Sequence, residues 1–132
     1  MAQKEFNVAA RIHAWERAGG FDYLLKQAFH REAKRALKVV AAALGLAPGT
    51  YDLRSNLAGP AVSGEVTLHT ERLYIQVQAG FQRSDILYRT CTGRRDFTGG
   101  MNHFAPVEAL DSPTEFAATV ARLTTPKVSL IA

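Results

Sequence analysis

Between Asp85 and Phe104 the chain reads DILYRTCTGRRDFTGGMNHF, a strand-like run that empties into a segment dense in Arg89, Cys91, Arg94, Arg95, Asp96, Asn102 and His103. The chemistry these residue types support is anion recognition. Guanidinium groups donate paired hydrogen bonds to phosphate or carboxylate, and glycines such as Gly93, Gly99 and Gly100 let backbone amides approach an anion closely. Arg89, Arg94, Arg95, Asn102 and His103 are therefore candidate anion contacts. The spacing matches neither GxxxxGK[ST] nor GxGxxG, so no specific phosphate loop is identified. The competing reading is a long connection whose glycines serve turns, whose Asp96 pairs with an arginine, and whose Phe97 and Phe104 pin it to the core.

Catalytic readings find less support. His69 and His103 could form an acid–base pair of the kind metal-free phosphodiester chemistry needs. Cys91 could act as a nucleophile with His103 as base and Asn102 or Asp96 orienting it. Neither arrangement is demanded by the spacing, and a small half-buried cysteine is the commoner state of a free thiol. The four histidines, His13, His30, His69 and His103, are dispersed, with no HxH or HExxH, so no metal site is expected. No catalytic residue and no cofactor are assigned.

The elements that would hold such a segment follow from periodicity. A first helix is expected through Phe6, Ala9, Ala10 and His13, with Ile12 and Trp15 beside them, ending at Gly19-Gly20. A second runs from about Asp22 to Leu44 on the stripe Leu25, Ala28, Phe29, Ala33, Ala36, Leu37, Val40 and Leu44, with Asp22 as N-cap and Gly45 as the stop. Opposite that stripe, Lys26, His30, Lys34 and Lys38 recur every four residues, with Arg31 and Arg35 alongside. Five cations against two carboxylates place +3 of the chain's +4 on this one helix. Such a ridge can follow a phosphate backbone, although an amphipathic helix also needs a solvated face. The ridge has no interleaved aromatics, so phosphate contact there should be independent of base sequence.

From Tyr51 the texture changes to strands, with alternation at Val66, Leu68, Leu73, Ile75 and Val77 marking a half-buried antiparallel sheet. Turns are expected at Thr70–Arg72 and Gly80–Ser84. Ser112-Pro113-Thr114-Glu115 reads as a capping box with proline at the first helical position, and the tail KVSLIA as disordered or an edge strand. The expected architecture is α+β in a single domain: a helical part at about 4–45, a meander of three to four strands at about 51–92, a glycine-rich loop at 93–105, and a C-terminal helix at about 113–124 packed on the sheet.

The 132-residue length can bury a core without disulfides, and the lone Cys91 excludes both an internal disulfide and a cysteine zinc cluster. No segment reaches bilayer-spanning length, and Arg11, Glu16 and Arg17 interrupt any leader-like run, so the expected location is cytoplasmic without membrane contact. The functional expectation is a small basic, non-catalytic module that binds nucleic acid or another polyanion through Lys26, His30, Arg31, Lys34, Arg35 and Lys38 together with the arginine- and glycine-rich loop. The alternatives are an inhibitor or adaptor docking on a nucleic-acid-processing machine, and a nucleotide or small-anion sensor. Self-association is open under all three.

Overall fold

In the computed structural model, which describes residues 5–79, 84–97 and 100–124, helices α1 (Val8–Arg17) and α2 (Tyr23–Ala43) precede five strands. These are β1 (Tyr51–Asn56), β2 (Glu65–Thr70), β3 (Leu73–Ala79), β4 (Ser84–Thr90) and β5 (His103–Pro106). A 3-10 turn (Val107–Asp111) then leads into α3 (Pro113–Ala121). The class is α+β, with one strand more than the periodicity indicates. The extra strand, β5, lies within the stretch read as loop. Its four residues are short for a pattern signal, and Pro106 lacks the N–H a ladder needs, which an edge position tolerates.

Local signals start and stop the helices as their chemistry requires. The Asp22 carboxylate accepts from Leu25 N at 3.0 Å, and Gly45, at φ +79°, turns the chain after α2. Ser112 sits at the N-cap of α3 with Pro113 in the first turn, although its side chain makes no capping bond. Helix α1 buries Val8, Ala9, Ile12 and Trp15, while Ala10 is exposed and His13 half-exposed, so its inward face is rotated from the one expected. A buried acid accounts for how α1 is seated. Asp111 accepts from Ala9 N through its carboxylate (3.2 Å), and its carbonyl accepts from Glu5 N and Phe6 N.

The sheet is an antiparallel meander in the order β1-β2-β3-β4-β5, leaving β1 and β5 as edges. Between β2 and β3 the Thr70 hydroxyl accepts from Arg72 N (3.1 Å) and Leu73 N (2.9 Å), so a side chain closes the turn that lacks an Asn-Gly pair. The turn expected at Gly80–Ser84 lies, except for the backbone of Ser84, outside the described residues, as does the KVSLIA tail. One sheet face contributes Val66, Leu68, Leu73, Ile75, Val77 and Ile86 to a core shared with Phe29, Leu37 and Val40 of α2 and Phe116 and Val120 of α3. Burying a large aliphatic or aromatic side chain is worth about 1.5–3 kcal/mol, so this layer dominates stability. Alternation sends the strand residues between them, among them Asp52, Thr67, Tyr74, Gln76, Leu87 and Arg89, to the opposite, open face.

Candidate polyanion-binding surface

The cationic repeat on α2 divides into two parts. Lys26 and His30 are 3 % and 4 % exposed, beneath the link between β1 and β2. Lys26 Nζ donates to the Gly59 carbonyl at 2.7 Å, and His30 Nε2 donates to the Ser63 carbonyl at 2.6 Å while Nδ1 accepts from the Ser55 hydroxyl at 2.7 Å. Burial disfavours the imidazolium and lowers the His30 pKa. These two residues bolt the link to the helix and do not belong to a solvent ridge.

Arg31, Lys34, Arg35 and Lys38 are exposed. Arg35 reaches Glu32 at 3.0 Å and lies over the Phe6 ring, so its charge is compensated. Arg31, Lys34 and Lys38 meet no carboxylate within ion-pair distance among the described residues. With Arg35 they line a groove of about 300 Å³ whose other wall is Tyr51 and Leu53 of the edge strand β1. The helix that seemed to lack aromatics thus has one supplied from 13 residues beyond Lys38 in sequence. Only strand alternation, which turns Tyr51 and Leu53 toward the helices, could have signalled it.

The arginine- and glycine-rich segment folds down onto the open face. Cross-strand register aligns Asp52, His69, Tyr74 and Arg89 in one row there. His69 Nε2 donates to the Gly93 carbonyl at 2.9 Å, and the Phe97 ring meets His69 and Tyr74 edge-on at 4.9 and 6.1 Å. Arg94 donates to both Asp52 oxygens (3.3 and 2.8 Å) and to the Gly49 carbonyl (3.1 Å). That fork holds the Asp52 carboxyl below its ordinary range. Arg89 is buried, with its guanidinium 4.6 Å from the Tyr74 ring centre. Asp96 accepts from Thr92 N at 2.9 Å and from the Thr92 hydroxyl at 3.2 Å. Arg95 is exposed, and Arg94 and Arg89 are structural clamps. Gly100, at φ +80°, gives room to the Thr90 backbone, not to a ligand; Gly99 lies outside the described residues.

Phe97 and Phe104 do not pin the segment to the core. They are 53 % and 54 % exposed on the open face. Asn102 is exposed at the head of β5, and His103 stacks on Tyr88 with ring centres 5.4 Å apart, on the helix side of the sheet. His69 faces the other side, so the sheet separates the two histidines. The Cys91 thiol donates to the Thr70 carbonyl at 3.3 Å, and burial pushes its pKa up, which keeps it in the poorly nucleophilic thiol form. Among the described residues no group of three or more His, Cys, Asp and Glu could hold a metal, and no helix is long and apolar enough to cross a membrane.

The two cationic regions converge on one stretch of β1. Tyr51 and Leu53 wall the helix groove, while Asp52, between them in sequence, anchors Arg94 on the opposite face. A larger hollow, about 630 Å³, lies elsewhere, between Trp15 and Glu16 of α1, Ala58 and residues 61–64 of the link, and Glu65. No protein-family model matches the chain, and no curated protein or solved structure is significantly similar to it.

Proposed function

We propose that the protein is a non-catalytic binding module for nucleic acid, held through its phosphates in the groove between α2 and β1. The observation that carries this reading is three uncompensated cations, Arg31, Lys34 and Lys38, gathered along one groove with Tyr51 at its wall. Solvated helix faces usually mix signs, whereas here Glu32 is already engaged by Arg35 and by Asn7 N. Spaced cations neutralise successive phosphates, and the released counterions make affinity fall with salt.

Anisotropy titrations with a labelled single strand, repeated across salt concentrations, test this. Three phosphate contacts predict a slope of log K against log salt of roughly −2. Charge reversal at Lys34 and Lys38 should flatten the slope to about −0.7. No binding at low salt, or a slope near zero, would sink the reading.

A second reading, docking on a protein partner, is favoured by Phe21, Tyr23, Leu24 and Val62. These exposed apolar side chains belong to the start of α2 and the β1–β2 link, away from the cationic groove. A pull-down retaining a stoichiometric partner after nuclease treatment would support that reading instead.

A further inference from the structure

We propose that the open face of the sheet is a base-stacking platform, so that the nucleic acid this module takes is single-stranded. The inference rests on the reading of the α2–β1 groove as the phosphate site and names the form of polymer that site serves.

Cross-strand register places Arg54, Thr67, Gln76, Leu87 and Phe104 side by side, one from each strand. The row is a stripe some 19 Å long at ordinary strand spacing. Among the described residues no helix covers it, since the core lies on the other face. It contains no carboxylate. Asp52, in the row on one side, is held by Arg94 and Arg54, while Glu65 and Asp85 occupy the row on the other and bound the path that phosphates would follow.

The ring of Phe104 stands at one end of the stripe and that of Phe97 above its flank, each with more than half its surface in solvent. Exposed aromatic rings on an antiparallel sheet stack unpaired bases, and every base offers a face to them. Gln76 supplies a hydrogen-bonding group between them: its Oε1 accepts from the Tyr74 hydroxyl at 2.9 Å, leaving the amide N–H groups to donate. A duplex hides its base faces, and a five-stranded sheet is too broad to enter a groove that admits a helix or a two-stranded ribbon.

The stripe and the groove meet. Arg54 follows Leu53 on the same edge strand and points to the opposite face, with 57 % of its side chain exposed. A single strand can therefore keep its phosphates on Arg31, Lys34 and Lys38, cross the β1 edge beside Arg54, and lay its bases toward Phe97 and Phe104.

The test uses the full chain, a fluorescein-labelled oligothymidylate and a labelled hairpin duplex. Phe97→Ala with Phe104→Ala should weaken oligothymidylate binding about tenfold for each ring lost, leaving the salt slope unchanged and the hairpin unaffected. Phe104→Ala alone keeps the test valid if loss of Phe97, which packs on His69 and Tyr74, unsettles the loop. Charge reversal of Arg31, Lys34 and Lys38 should weaken both polymers and flatten the salt slope. If the phenylalanine variants bind oligothymidylate as the unaltered protein does while charge reversal abolishes binding, the platform is overturned and the groove stands. If the unaltered protein binds neither polymer at low salt, both fail.

Discussion

Lys26 and Lys38 belong to one four-residue repeat, but the chain that packs over them assigns them different work. Lys26 keeps its aliphatic stem among the link residues and gives its ammonium to the Gly59 carbonyl, a charge-assisted bond. Lys38 ends in solvent along the β1 groove. Replacing Lys26 with Met keeps most of the packing and removes that bond. The expected loss is about 1–2 kcal/mol in chemical denaturation, with polyanion affinity within about twofold of the unaltered protein. Lys38→Glu should do the reverse, holding stability within about 0.5 kcal/mol while weakening binding. If Lys26→Met lost affinity as Lys38→Glu does, the division of the repeat would be wrong. Nothing in the repeat itself distinguishes the two, because what buries Lys26 is a segment more than 30 residues further along the chain.

At the scale of elements, the segment after β4 is held by separate short contacts: His69 to the Gly93 carbonyl, Arg94 to Asp52 and Gly49, Asp96 to Thr92, and Phe97 on two rings. Each is modest, and the Arg94–Asp52 fork is solvated and screened, so Arg94→Ala should leave the global denaturation midpoint nearly unchanged. Its larger effect is local. Amide exchange at Thr92 through Asp96 should quicken while the β2–β3 ladder keeps its protection, and equal quickening throughout would contradict a separately anchored loop. The same segment shows where sequence is informative. Helices α2 and α3 and strands β2 to β4 were legible because their periodicity, caps and prolines are local signals. The cationic helix face was legible for the same reason. Tyr51 beside that face, Asp52 beneath Arg94, and the outward turn of Phe97 and Phe104 were not, because each depends on which strand lies next to which. A phenylalanine near glycines reads as an anchor in the core until the sheet is seen to carry, among the described residues, no helix on that face.

For the whole molecule, three histidines connect folding to pH, and their signs oppose. His30 and His69 are buried, and desolvation is the main cause that lowers the pKa of each in the fold. Their neutral forms are held in place by the bonds to Ser63 and Gly93, in which Nε2 donates. The unfolded chain takes up protons at the ordinary value of 6.5 while the fold resists, so stability is full above that value and is lost as pH falls through it toward the folded pKa values. His13 runs the other way. Hydrogen bonding to Glu16, with a weaker contribution from Glu108, raises its pKa, so its contribution is complete below 6.5 and disappears as pH rises through the higher folded value. The His13 contacts are solvated and screened, whereas protonating His30 places a positive charge at a desolvated interior site beside Lys26, so the buried pair should dominate. Denaturation midpoints measured from pH 7.5 to 5.5 should therefore decline, the decline should shrink in His30→Gln, and it should steepen in Glu16→Gln. A midpoint that rose on acidification would mean that His13 and its two carboxylates outweigh the buried imidazoles, and that the β1–β2 link is not held by a neutral His30.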